Sequence, residues 1–225
     1  MFVRKTYIGF TMIKQNLVSE IPFHGPTSFV KLSIILVFLL LIITATVYQE
    51  GFSSRVTYCQ AKDGNYYLVR NLKDKRRAAN LLAKMNGRVK YLLKHLRKKH
   101  YNNRDIIRLC RNYNEHQLSE ATKDSQHTSY SINKGEKIVF CLRHRHEDQR
   151  EHLTDINTMM FVAIHELAHL MSSSIGHTPE FWRNMRFLLR EAEKCPRKIY
   201  EYIPYHLEPV RYCGTLITDT PYRKE

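Results

Sequence analysis

Acidic residues are in short supply in this chain: 21 Asp and Glu stand against 36 Lys and Arg, a formal net charge of +15. The excess persists beyond the first 48 residues. It attracts anionic surfaces, nucleic acid or acidic lipid, and it is equally what a well-solvated basic surface looks like. Cysteine is also sparse. The 5 residues, Cys59, Cys110, Cys141, Cys195 and Cys213, are odd in number and far apart, and none forms a C-x-x-C pair. That excludes a cysteine zinc knuckle and gives no sign of a disulfide framework, so reduced thiols are expected. No N-x-[ST] sequon occurs, which counts against a glycosylating lumen.

One long charge-free run is present. "LSIILVFLLLIITATV" extends from Leu32 to Val47, with Phe29 and Val30 at its edge. As a helix, residues 29–48 reach about 30 Å, the thickness of a hydrocarbon core. A cleaved signal peptide is the rival reading, but it would need an unusually long leading segment and a poor exit at "TATV". A single membrane-spanning helix is therefore expected over 29–48, behind an N-terminal tail at 1–28. Lys14 and Lys31 on one side balance Arg55 and Lys62 on the other, so the positive-inside count leaves the orientation open. The thiols and the missing sequon lean towards a cytoplasmic or nuclear catalytic side.

Past the run, "YYLVRN" (Tyr66 to Asn71) reads as a short strand. Ala78, Leu82, Met85, Val89, Leu92 and Leu96 then step by four and three, the apolar stripe of a helix whose other faces carry Lys75, Arg76, Lys84, Lys90, Lys94, Arg97 and Lys98. A core-packing helix with a solvated basic back outweighs a surface for nucleic acid or lipid at 73–99. Gly87 weakens that helix without breaking it. Residues 49–127 thus read as a basic helical region, with polar loop from Asn112 to about Gln126. "TSYSINKGEKIVFCLR" reads as a β-hairpin turning at Asn133-Lys134-Gly135. His144, His146 and His152 follow in a charged connection with no register to align them, and a solvated loop is expected there.

"MMFVAIHELAHLMSSSIGHTPEFW" holds the chemistry. Thr154 or Asp155 offers an N-cap. In the helix that follows, His165 and His169 stand at i and i+4, one turn apart on one face, able to reach one zinc ion. Glu166 sits about 100° around the helix from His165, placed to act on a water rather than to ligate. This is H-E-x-x-H in an apolar helix, the context the motif requires. Gly176 permits the left-handed backbone that turns a chain back, which would bring in His177 as third ligand. Glu191, on a helix expected from Pro179 to Glu193, competes for that place. Phe181 and Trp182 on the same helix are expected in the core.

"HELAHLMSSSIGHTPEFW" resembles the WLM and YgjP-like zinc metallopeptidases, relatives of the SprT group, with His165, Glu166, His169, His177, Phe181 and Trp182 on the pattern positions. The chain departs from the pattern in one way, since His177 lies eight residues after His169 where the commoner spacing is six. "INKGEKIVFCLR" and "PVRYCGTLITDTP" also look like forms of this domain carried by large DNA viruses. The likeness covers roughly 129 to 220. It implies an α+β, zincin-like domain over 128–225, with an edge hairpin beside the active-site helix and one zinc ion held by His165, His169 and His177. It implies peptide hydrolysis with Glu166 as general base on a metal-activated water.

Lys137–Leu142 offers a strand on which a polypeptide substrate can lie. Tyr200, Tyr202, Tyr205, His206 and Tyr212 are candidate oxyanion donors. A membrane-anchored peptidase, in a host membrane or a virion envelope, is the first expectation. A membrane-tethered scaffold or adaptor that keeps a zinc-stabilised, non-catalytic fold is the second, and a DNA-associated protease, by analogy with SprT relatives, the third. Glu166 separates the first two, because a structural zinc site has no use for the acid.

Overall fold

The computed structural model describes residues 28–145 and 152–222 and divides the chain into two units, 1–48 and 49–225. The first unit is described from α1 (Ser28–Arg55), whose span Ser28–Val47 has a mean hydropathy of 2.7. Among the described residues it is the one helix long and apolar enough to cross a membrane, and its side chains from Phe29 to Val47 stand exposed. The expected tail lies outside the described residues, apart from Ser28.

In the second unit, β1 (Val56–Gln60) and β2 (Tyr66–Arg70) form a hairpin, followed by α2 (Lys75–Lys99) and α3 (Arg104–Asn112). Next come β3 (Leu118–Glu120), β4 (Ser129–Ile132) and β5 (Lys137–Phe140), then α4 (Ile156–Met171) and α5 (Pro179–Lys194). A small hairpin of β6 (Val210–Tyr212) and β7 (Thr215–Ile217) closes the described chain. The main sheet runs β1-β2-β3-β5-β4, antiparallel at both ends and parallel where β3 joins β2 and β5. The fold is mixed α+β.

The apolar stripe of α2 is buried as its spacing requires. Ala78, Leu82, Met85, Val89, Leu92 and Leu96 pack under the sheet and against α4, while Lys84, Lys94 and Lys98 face outward. In α4, Thr158 to Ile164 and Leu167 to Met171, His169 apart, are buried, with α2, α3 and α5 packed around it. Four features depart from expectation.

The sheet takes strands from both sides of residue 127, so the basic helical region and the expected 128–225 domain form one unit. Part of the expected polar loop is β3, three residues buried between two partners. Its Glu120 receives the Arg143 Nε at 2.6 Å and the Arg70 backbone N–H at 2.8 Å, so a carboxylate sits inside the sheet because it is fully paired. The third departure concerns thiols: Cys141 and Cys213 are joined in a disulfide, with Cα atoms 6.0 Å apart, while Cys59, Cys110 and Cys195 are free. Their separation of 72 residues hides the pair from any reading of local spacing.

The fourth lies in the hairpin. The turn falls at Asn133, Lys134 and Gly135, all with positive φ, as the sequence indicates. The strand at Lys137–Leu142, however, is interior, bonded to β3 on one side and β4 on the other, so it has no edge to lend to a peptide. Of the hairpin's two strands, β4 is the one at an edge of the sheet.

Candidate metal centre

Asp155 starts α4, its carboxylate accepting the backbone N–H groups of Asn157 and Thr158 at 2.8 and 2.9 Å. Ten residues on, the helix presents His165 and His169 from one face. It ends where Ser172 takes up extended backbone and donates its hydroxyl to Ala168 O at 2.8 Å. Gly176, at φ +82°, turns the chain, and Thr178 caps α5. Between these caps His177 swings back to the helix.

The three imidazoles form a near-regular triangle, with ring centroids 5.0, 4.9 and 5.0 Å apart. One nitrogen from each falls within 4.8 Å of the others, and His165 Nε2 faces His177 Nε2 at 3.0 Å. Phe181, fully buried, backs all three rings at 4.8, 4.3 and 4.7 Å. Trp182 lies 5.5 Å from His177 but keeps 40% of its surface exposed, so it is a rim residue rather than the expected core residue.

The donor set fits zinc. Nitrogens about 2.0–2.1 Å from one tetrahedral ion stand roughly 3.3 Å apart, a spacing these rings reach with little movement. Burial, then the neighbouring imidazoles, pushes the His165 pKa down to about 3 and His169 to about 4. Both are therefore neutral at ordinary pH, with lone pairs free for a cation. Among the described residues this is the one group of three or more such side chains gathered closely enough to hold a metal. His144 and His152 meet only through a backbone bond, and His146 lies outside the described residues.

Glu191 does not join the group. It is buried elsewhere on α5, where burial would raise its pKa but Lys99, at 3.0 and 2.9 Å, and His100, at 3.4 Å, hold it below the usual range. A carboxylate already committed to an ammonium is not a spare ligand.

Glu166 is 4% exposed, and burial raises its pKa to about 7, a rise that the Ser131 hydroxyl of β4 opposes. The edge strand packs against α4 on the side of the acid. Of the five oxyanion candidates, Tyr200 and Tyr205 are buried around Phe161. Tyr212 bonds Ser129 Oγ at 2.6 Å and lies near enough to Glu166 for that charge to raise its pKa further, on top of burial. Tyr202 packs on Tyr222 at 5.6 Å, and His206 is exposed.

Sequence reading missed Ser131 and Lys134. The Lys134 Nζ donates to the carbonyls of Ser172 and Ser173 at 3.2 and 2.6 Å, tying the hairpin turn to the end of α4. Asn133-Lys134-Gly135 between two β-rich runs signalled the turn, but nothing in the sequence signalled its target.

No family model matches the chain. The uncharacterized protein R325 of Acanthamoeba polyphaga mimivirus is 32% identical over 201 residues, covering 83% of this chain and 95% of that protein. The uncharacterized protein 136R of Invertebrate iridescent virus 6 is 32% identical over 91 residues, 40% of this chain and 44% of that protein. Among solved structures the chain is similar to two of Wss1 from Saccharomyces cerevisiae, one of them a mutant. They are 22% and 21% identical, with TM-scores of 0.40 and 0.43, covering 56% and 59% of this chain and 88% and 92% of those chains.

Proposed function

The chain belongs to the family of the mimivirus protein R325, and from the chemistry of its histidine triad we propose that it is a membrane-anchored zinc peptidase. The observation that carries the reading is the convergence of His165, His169 and His177 beside a buried carboxylate on the same helix. A structural site needs the histidines alone. Here a costly buried acid stands next to the first of them, and burial of an acid is retained where it has a task.

Zinc held by His165, His169 and His177 would supply an acidified water and an electrophile for the scissile carbonyl. The protein's own share is proton transfer. The Glu166 carboxylate takes the proton of the attacking water and delivers it to the departing amine nitrogen, and burial keeps its basicity near neutrality. Tyr212, held by Ser129 and raised in pKa by the Glu166 charge as well as by burial, would be the oxyanion donor among the five expected. The outer edge of β4 would align a polypeptide as an added strand, with Ser131 facing the acid. Trp182 and the 87% exposed Ile175 flank His177 in sequence and leave apolar surface for substrate side chains.

The apolar span of α1 would serve as the anchor. The disulfide supports an oxidising side of that membrane for residues 49–225, against the expectation of a cytoplasmic or nuclear one. Arg76, Lys84, Lys94 and Lys98 along the exposed face of α2 would offer an anionic surface a secondary contact.

The test is Glu166→Gln in the full chain, assayed on a quenched peptide library with zinc content measured alongside. Cleavage should fall roughly 10²–10⁴-fold with zinc retained. Undiminished cleavage would remove the catalytic role, and undiminished biological activity without any cleavage would leave the scaffold.

A further inference from the structure

Of the three histidines, two are fixed by α4. The third hangs on the segment between Ser172, which ends α4, and Thr178, which caps α5. That segment holds no buried apolar side chain: Ser173, Ile175, Gly176 and His177 are exposed. A chain of this kind has little apolar burial to order it, and ordering each residue costs conformational entropy. Something specific must hold it.

Glu180 supplies the contacts. It sits in the first turn of α5, and its carboxylate points back across the segment rather than into its own helix. Oε1 accepts the Ser173 backbone N–H at 2.9 Å and the Ser173 hydroxyl at 3.0 Å. Oε2 accepts the Ser174 backbone N–H at 3.0 Å and the Ser174 hydroxyl at 2.7 Å. The Ser174 hydroxyl also meets Thr178 Oγ1 at 2.7 Å, closing a small ring of bonds from one cap to the other. The Ser174 hydroxyl first, then the two backbone N–H groups, hold the Glu180 pKa down to about 2, so the clamp is charged throughout the working pH range. From the opposite side Lys134 grips the carbonyls of Ser172 and Ser173. Cation and anion thus pin consecutive peptide groups immediately before Gly176 turns the chain towards His165.

We infer that Glu180 is a positioning residue for the third ligand: by fixing Ser173 and Ser174 it sets the direction from which His177 approaches the metal. The inference rests on the zinc reading and adds a part that the H-E-x-x-H motif does not contain. It also explains how a long excursion after His169 can end in a ligand. Without the clamp, closing the site would require the bound metal to order the loop each time.

The test uses the full-length protein in detergent, with zinc affinity measured by chelator competition and the visible absorption of the cobalt(II)-loaded form recorded. Glu180→Ala should weaken zinc binding about 10–100-fold, as loss of a partner that orients a ligand typically does. Its cobalt spectrum should move towards that of His177→Ala. Glu180→Gln, nearly the same size, should fall between the native protein and Glu180→Ala and guards against a failure of Glu180→Ala to fold. In a His177→Ala background, Glu180→Ala should change the affinity no further, because the ligand it directs is gone. Wild-type affinity in both Glu180 variants, or an equal loss with and without His177, would overturn the positioning role while leaving the zinc reading in place. A native protein that takes up neither zinc nor cobalt would overturn both.

Discussion

Two glycines show how much a single side-chain position depends on its surroundings. Gly135 has φ +112°, and a Cβ there would meet Asn112 O at 2.1 Å, whereas Gly87 lies on exposed helix with nothing within 4 Å. Gly135→Ala is therefore expected to lower stability by more than about 1 kcal/mol. Gly87→Ala should raise it by about 0.5–1 kcal/mol. Chemical denaturation of both variants checks the pair, and equal effects would contradict it. Glu120 makes a harsher case: Glu120→Ala removes one of the two carboxylates that pair the buried Arg143 among the described residues, the other being Asp74 at 2.8 Å. The expected loss is ~3 kcal/mol, the low end for breaking a buried pair, and a loss under 1 kcal/mol by the same measurement would show that water reaches the guanidinium. At this scale the sequence disclosed His165, Glu166 and His169, because helical spacing is local. It did not disclose Glu120, Ser131 or Glu180, whose roles depend on partners brought near only by the folded chain.

Elements were legible where periodicity ran long. The α2 stripe, the α4 cap at Asp155, the α5 start at Pro179 and the turn before β5 all follow from local spacing. β3 was not, since three residues carry no period and its pairing is parallel to strands many residues away. The same blindness assigned the peptide edge to β5. A hairpin shows that two strands pair, but which one faces outward depends on the third strand that docks. The α1 span carries its own prediction: full-length protein should stay in the membrane fraction through an alkaline carbonate wash, as its apolar length requires. Release into the supernatant, or a mature N-terminus near Gln49, would show that the segment is not an anchor.

For the whole of residues 49–225 the strongest long-range tie is Cys141–Cys213, which fastens the β6–β7 hairpin, and with it Tyr212, to the end of β5. Closing a loop of 72 residues restricts the unfolded chain by about 4 kcal/mol in the loop-entropy account. A reducing agent should thus lower the melting temperature markedly, and thiol titration of the denatured, unreduced protein should find 3 free cysteines. A count of five would mean the link does not form. The central claim, however, is that one metal is held by histidines from a helix and a returning loop. Metal analysis of the purified full-length protein, beside its His165→Ala/His169→Ala variant, tests it most directly. About one zinc per chain is predicted for the native protein and essentially none for the variant; a native protein without zinc, or a variant that keeps its full complement, would contradict the account.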